Sequence, residues 1–242
     1  MKQTFKHIRW AGVGLVVLLG LSGCMMEKSD ARQESRDPDE GFYDGSGTML
    51  ATGTYRIQEG APTIRIDTET LAYVVNPDPL SGVADCTRIM LEYTPVNREH
   101  PDFCTESAYL QWVSVLDEGV VSLVTFEENY STDAFGRTDP VIILQDWITS
   151  LEDGFLTLHY TIAASGEKKH FFSLQRSWEP GSVFYLVHDA QGDPGTRLME
   201  GIVCFRIGNL TPGEDGKITL SLKYLNENKT LTTLTFDYPN PA

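Results

Sequence analysis

The stretch Phe155-Leu156-Thr157-Leu158-His159-Tyr160-Thr161-Ile162 decides the class of fold. In extended chain successive side chains point to opposite sides, so Leu156, Leu158, Tyr160 and Ile162 share one face and Thr157, His159 and Thr161 the other. A strand with one buried and one wet face is expected. The pattern recurs in Ile218, Leu220, Leu222 and Tyr224, alternating with Thr219, Ser221 and Lys223, and again in Leu234, Phe236 and Tyr238. Strands also fit Val141–Ile148, His170–Gln175, Val183–His188 and Gly201–Ile207. Seven strands in residues 140–242, with turn signals between them, predict a two-sheet sandwich of immunoglobulin-like kind.

Upstream, β-branched and aromatic runs occupy Met49–Ile57, Thr63–Ile66, Leu71–Val75, Arg88–Tyr93 and Leu110–Leu116. Gly60-Ala61-Pro62 and Asn76-Pro77-Asp78-Pro79 separate them, because proline lacks a ladder donor and fixes φ. Five short strands within residues 48–126 predict a small barrel of the oligonucleotide/oligosaccharide-binding (OB) type. Val120–Phe126 reads as its last strand or a crossover, and residues 127–139 as a polar linker. The chain is expected to be all-β, with no amphipathic helix of useful length.

The N-terminus carries an address. Lys2, Lys6 and Arg9 precede the uncharged apolar run Ala11–Leu21, the layout of a secretory signal. That run is about half of the roughly 20 residues that cross a bilayer. It ends in Leu21-Ser22-Gly23-Cys24, which resembles the lipobox of bacterial lipoproteins. Residues 1–23 are thus expected to be a signal peptide, with Cys24 acylated, palmitate included. Each buried methylene adds about 0.8 kcal/mol, so several chains hold a protein on a membrane almost permanently. Met25 supplies no inner-membrane retention signal, and the outer membrane is the expected location. Residues 24–47 are polar enough to be a disordered tether.

Loss of the leader removes three cationic residues and takes the formal charge from −15 to −18. A polyanion of this kind repels nucleic acid. Cys86 and Cys104 flank a polar stretch, are expected in an oxidising compartment, and form a candidate disulfide. Cys204, inside an apolar run, reads as a small buried hydrophobe.

Hydrolase, kinase and zinc-protease signatures are missing, so no catalytic residue, metal ligand or cofactor is assigned. Candidate ligand-binding residues are Trp178, in the loop Arg176–Gly181, together with His170, His188, Asp189 and Asp193. A tight turn at Ser165-Gly166 would set Thr161 opposite His170, with His159 diagonal to it.

The order Gln145-Asp146-Trp147-Ile148, Gly154-Phe155-Leu156, Lys169-His170-Phe171-Phe172-Ser173-Leu174, His188 to Asp193 and Gly201-Ile202-Val203-Cys204-Phe205 resembles the NigD-like lipoproteins of anaerobic Gram-negative bacteria. The resemblance implies a lipid-anchored OB-type domain followed by a β-sandwich, and immunity or accessory work beside a bacteriocin. Taken together, a non-enzymatic envelope lipoprotein is expected, binding a partner protein or an envelope polysaccharide and held to the membrane through its lipid anchor. Bacteriocin immunity and glycan binding are the alternatives.

Overall fold

A computed structural model describes residues 42–43, 47–66, 69–124, 138–177, 182–208, 210 and 217–239. The signal peptide, Cys24, nearly all of the tether, most of the 127–139 linker and Trp178 lie outside them. Period-two patterning becomes strands throughout. They are β1 (Phe42–Tyr43), β2 (Met49–Gln58), β3 (Ala61–Arg65), β4 (Leu71–Val74), β5 (Thr87–Val96), β6 (Glu106–Val115), β7 (Asp117–Glu118) and β8 (Val120–Val124). There follow β9 (Ile142–Leu144), β10 (Ser150–Glu152), β11 (Phe155–Ala164), β12 (Phe171–Ser177), β13 (Val183–Asp189), β14 (Arg197–Arg206), β15 (Lys217–Leu225) and β16 (Leu231–Pro239).

The first lobe is a barrel in the order β2-β3-β4-β6-β5, closed because β2 pairs β5 as well as β3. The β4–β6 pair is parallel and the other barrel pairs are antiparallel, which is the OB-type arrangement. β2 serves two partners in succession, β5 over 49–55 and β3 over 54–58, and at Gly53 a Cβ would sit 2.6 Å from the Ile64 side chain. Inside, Tyr55, Ile64, Val74, Ile89, Leu91 and Leu110 fill the barrel.

The second lobe is two facing sheets. One runs β10-β11-β14-β7, with β9 sharing the β10 edge of β11; the other runs β16-β15-β13-β12-β8. Between them lie Leu158, Leu174, Phe184, Phe205, Leu220 and Leu222. Burying each such side chain contributes about 1.5–3 kcal/mol.

Four expectations are corrected. β7 and β8 belong to the sandwich, since β7 pairs β14 and β8 pairs β12, both parallel. The boundary therefore falls at Leu116, well before residue 126. The second correction concerns the hairpin at Ser165-Gly166: β11 and β12 lie in different sheets, because their apolar stripes bury against each other across the core. Tyr160 and Phe172 meet there at 4.4 Å.

The third is the wet face of β11. Thr157 and His159 are buried, and the barrel covers the first of them. The fourth is the disulfide. Cys86, Cys104 and Cys204 are free thiols. Cys86 precedes β5, while Cys104 precedes β6 beside the far end of β5, as the pairing of Val96 with Ser107 shows. A ten-residue strand at about 3.3 Å per residue separates them, where a disulfide needs Cα atoms within about 7 Å.

The seam between the lobes is built on arginine. Arg88, 1% exposed, sends Nη2 to Thr52 Oγ1 at 3.0 Å and to Glu152 Oε2 at 2.6 Å, and Nε to Thr157 Oγ1 at 3.2 Å. Arg56 grips Asp153 with two bonds of 2.8 and 3.2 Å. From the sandwich, Arg206 donates to the Cys86 carbonyl at 2.7 Å and lies over the Phe155 ring. Leu116, Phe155 and Cys204 seal the junction, with Met90 packed against them.

Stripping the guanidinium from this seam by Arg88→Met is expected to cost about 3–5 kcal/mol, the range for removing one partner of a buried ion pair. Chemical denaturation measures it. Thiol titration of the natively folded mature protein should modify Cys86 and leave Cys104 and Cys204 unreacted, with all three reacting after denaturation. Loss of any of the three in the denatured, non-reduced protein would restore the bridge.

Candidate functional site

His188 sits on the inward face of β13, opposite Phe172 of β12, and their rings stack at 4.7 Å. His170 immediately precedes β12, and Asp193 follows the turn that ends β13. The fold thus brings together three of the residues singled out from sequence. His188 Nε2 lies 2.8 Å from His170 Nδ1, and His170 Nε2 lies 3.2 Å from Asp193 Oδ2. The side chains of His170 and Asp193 are 6% and 0% exposed.

Donor and acceptor rules fix the proton on His188. His188 Nδ1 faces the carbonyls of Asp139 and Pro140 at 3.3 and 3.2 Å, and carbonyls only accept, so Nδ1 carries a hydrogen. Burial, reinforced by the neighbouring His170, pushes the His188 imidazole below its ordinary value of 6.5 and keeps it neutral. Its Nε2 is therefore an acceptor facing His170 Nδ1, and the other His170 nitrogen faces the Asp193 carboxylate. Burial acts to raise the Asp193 carboxyl. The N–H groups of Gly195 and Ser165, with His170 and the Ser165 hydroxyl, outweigh it and hold the group far below its ordinary value.

The cluster joins three segments. Asp193 holds Ser165 through both its N–H and its hydroxyl at 2.9 Å. Thr138 and Asp139 bind the backbone of His188 and Ala190, and Lys168 Nζ caps the Gln191 and Gly192 carbonyls. Asp189 takes no part. It is exposed and accepts from the Gln191 N–H and side-chain amide within its own turn.

A second cluster was not legible in the sequence. His159, expected beside His170, instead lies between two carboxylates, with Nδ1 2.6 Å from Asp146 and Nε2 2.5 Å from Glu200. Thr149 receives the His159 N–H at 3.0 Å, which seats the turn carrying Asp146. Asp146 precedes His159 by thirteen residues and Glu200 follows it by forty-one. No local spacing signals such a set. Carboxylates occupy both ring nitrogens of His159.

A family model for the NigD-like C-terminal beta sandwich domain matches residues 122–238. The second lobe is a NigD-like sandwich. Three solved structures resemble the chain over both lobes. The "putative toxin related protein" of Parabacteroides distasonis has a TM-score of 0.63 at 16% identity, covering 80% of this chain and 94% of its own. A protein of unknown function from Bacteroides vulgatus gives 0.62 at 17% identity, with coverages of 79% and 91%. A NigD-like immunity protein from Bacteroides caccae gives 0.50 at 19% identity, with coverages of 82% and 99%. At these identities the superpositions show a shared fold and nothing more. No curated protein matches the chain.

The segments that carried the sequence resemblance now have places in the NigD-like sandwich. Gln145 to Ile148 is the turn that presents Asp146 to His159, Lys169 to Leu174 brings in His170, and His188 to Asp193 supplies the rest of the buried chain. They are the joints of this lobe.

Asp193→Asn is expected to lower the thermal midpoint at neutral pH. The sign follows from a depressed carboxyl: its stabilisation is present above the ordinary value of 3.8 and fades as pH falls through the folded value. The gap between wild type and variant should therefore close in acid. His188 adds a separate loss that begins as pH drops through 6.5, because the unfolded ring takes up a proton that the buried ring resists. Thermal unfolding followed by circular dichroism from about pH 7 to pH 2 reads both windows.

Proposed function

We propose that this chain is a lipid-anchored, non-enzymatic binding protein of the cell envelope, which captures a partner protein or an envelope polymer. The observation that carries the reading is how the polar clusters are spent. His170 and Asp193 are sealed inside the sandwich, and His159 is tied at both nitrogens. A general base must reach a substrate, and here one ring is buried and the other is held between two carboxylates. Among the described residues no helix is long and apolar enough to cross a membrane. The lipobox at Leu21 to Cys24 supplies the attachment, and the tether that follows gives reach.

Bacteriocin immunity is the second reading. It is supported by the name of the Bacteroides caccae relative and by a mature charge of −18, which suits a cationic toxin. Such capture would weaken steeply with salt, since screening confines surface charge effects to about 8 Å at physiological strength.

Metabolic labelling with palmitate, followed by membrane fractionation, tests the anchor. Wild type should carry label and sediment with membranes, whereas Cys24→Ala should lose both. Capture of the solubilised wild type should then bring down a stoichiometric component that the variant lacks. An unlabelled wild type, or turnover of a substrate by the purified protein, would overturn the reading.

A further inference from the structure

The barrel carries a cleft that neither histidine cluster touches. It is lined by Tyr73 and Val75, and by Arg98 and Glu99 in the connection from β5 to β6, around a volume of about 380 Å³. The cleft is an open depression rather than an enclosed pocket, a form that suits an extended chain lying across it. β4 alternates Ala72 and Val74 into the barrel core with Tyr73 and Val75 outward. The parallel β4–β6 ladder continues through the Val75 N–H to the Ala108 carbonyl at 3.0 Å, so Tyr109, 48% exposed, extends the same outer face. The backbone of Arg98 is held at both ends. The Arg98 N–H donates to the Val96 carbonyl, and its own carbonyl accepts from Ser107 Oγ at 3.2 Å. Arg98 and Glu99 are exposed and belong to none of the ion pairs among the described residues.

We infer that this cleft binds a neutral carbohydrate chain. The inference rests on reading the protein as an envelope binding protein, and names the polymer and the site. A phenol ring on a sheet face offers a flat apolar surface to the C–H face of a pyranose. Beside it, a guanidinium and a carboxylate supply a fork of donors and a pair of acceptors, which suit vicinal hydroxyls. The two charges cancel locally, so the cleft has no excess charge with which to hold a polyanion. Single-stranded nucleic acid is further disfavoured by the acidity of the whole chain. An extended peptide would need an unpaired strand edge, but β4 is paired on one side with β3 and on the other with β6. A sugar chain needs no edge.

Affinity electrophoresis of the full-length chain in detergent tests this, using gels containing neutral plant, algal or bacterial polysaccharides, with alginate and an oligothymidylate as charged probes. At least one neutral polysaccharide should retard the wild type. Tyr73→Ala and Arg98→Ala should each weaken retardation roughly tenfold or more, as truncation of an interface anchor does. Tyr73→Phe should retain it, and Phe171→Ser, which removes an exposed aromatic from the sandwich, should leave it unchanged. Unchanged thermal midpoints exclude unfolding as the cause. Retardation by alginate or oligothymidylate alone, by no neutral polysaccharide, or undiminished in Tyr73→Ala would overturn the inference. A chain that fails here yet still takes palmitate and retains its captured protein partner leaves the envelope-binding reading standing.

Discussion

A buried guanidinium holds the two lobes in register. Arg88 projects from β5 of the barrel into the mouth of the sandwich, where moving a cation out of water costs several kcal/mol unless its donors are met. Thr52 and Thr54 meet them from the barrel, and Ser150, Glu152 and Thr157 from the sandwich. A planar fork with five donors can satisfy so many acceptors at once; a lysine ammonium, with three donors on one atom, cannot. Every acceptor on the sandwich side lies on the hairpin β10–β11. That hairpin also supplies Asp153 to Arg56 and the Phe155 ring to Arg206, so three arginines from two lobes converge on eight consecutive residues.

The rest of the sandwich follows from the hairpin. With the start of β11 fixed against the barrel, its far end reaches Ser165, where Asp193 binds the chain as it crosses to the second sheet. The buried polar side chains described in this lobe, Thr138, Thr157, His159 and His188, each have a specific partner. Buried polar groups are tolerated on that condition.

Much of this architecture was legible because it rests on local alternation. β11, β15 and β16 announce themselves by period two, and Asn76 to Pro79 falls in the turn after β4, whereas of Gly60-Ala61-Pro62 only Gly60 is turn, Ala61 and Pro62 opening β3. What escaped depends on distant partners. Val120 to Val124 reads as a strand in isolation, yet nothing local tells whether it pairs within the barrel or with β12. Thr157 and His159 look like wet-face residues until Arg88, Asp146 and Glu200 arrive from elsewhere in the chain. Of the candidate binding residues, His170, His188 and Asp193 do converge, but into a buried brace. Two histidines on neighbouring strands look alike in sequence whether they face solvent or each other.

The two short strands after Leu116 have a consequence for how the molecule comes to be folded. β7 and β8 are the first pieces of the sandwich in chain order, yet β8 must wait for Ser173 to Ser177 and β7 for Val203 and Cys204. Both pairs are parallel, so no tight turn can bring the strands together. Closing loops of this length is entropically expensive before any contact rewards it. The barrel, whose pairings all lie within about seventy residues, can close early, while its neighbour keeps an open sheet edge until nearly the whole chain is available. During that interval the edge is exposed to pairing with other chains, and a protein built this way places its greatest demand on protection at the midpoint of its own assembly.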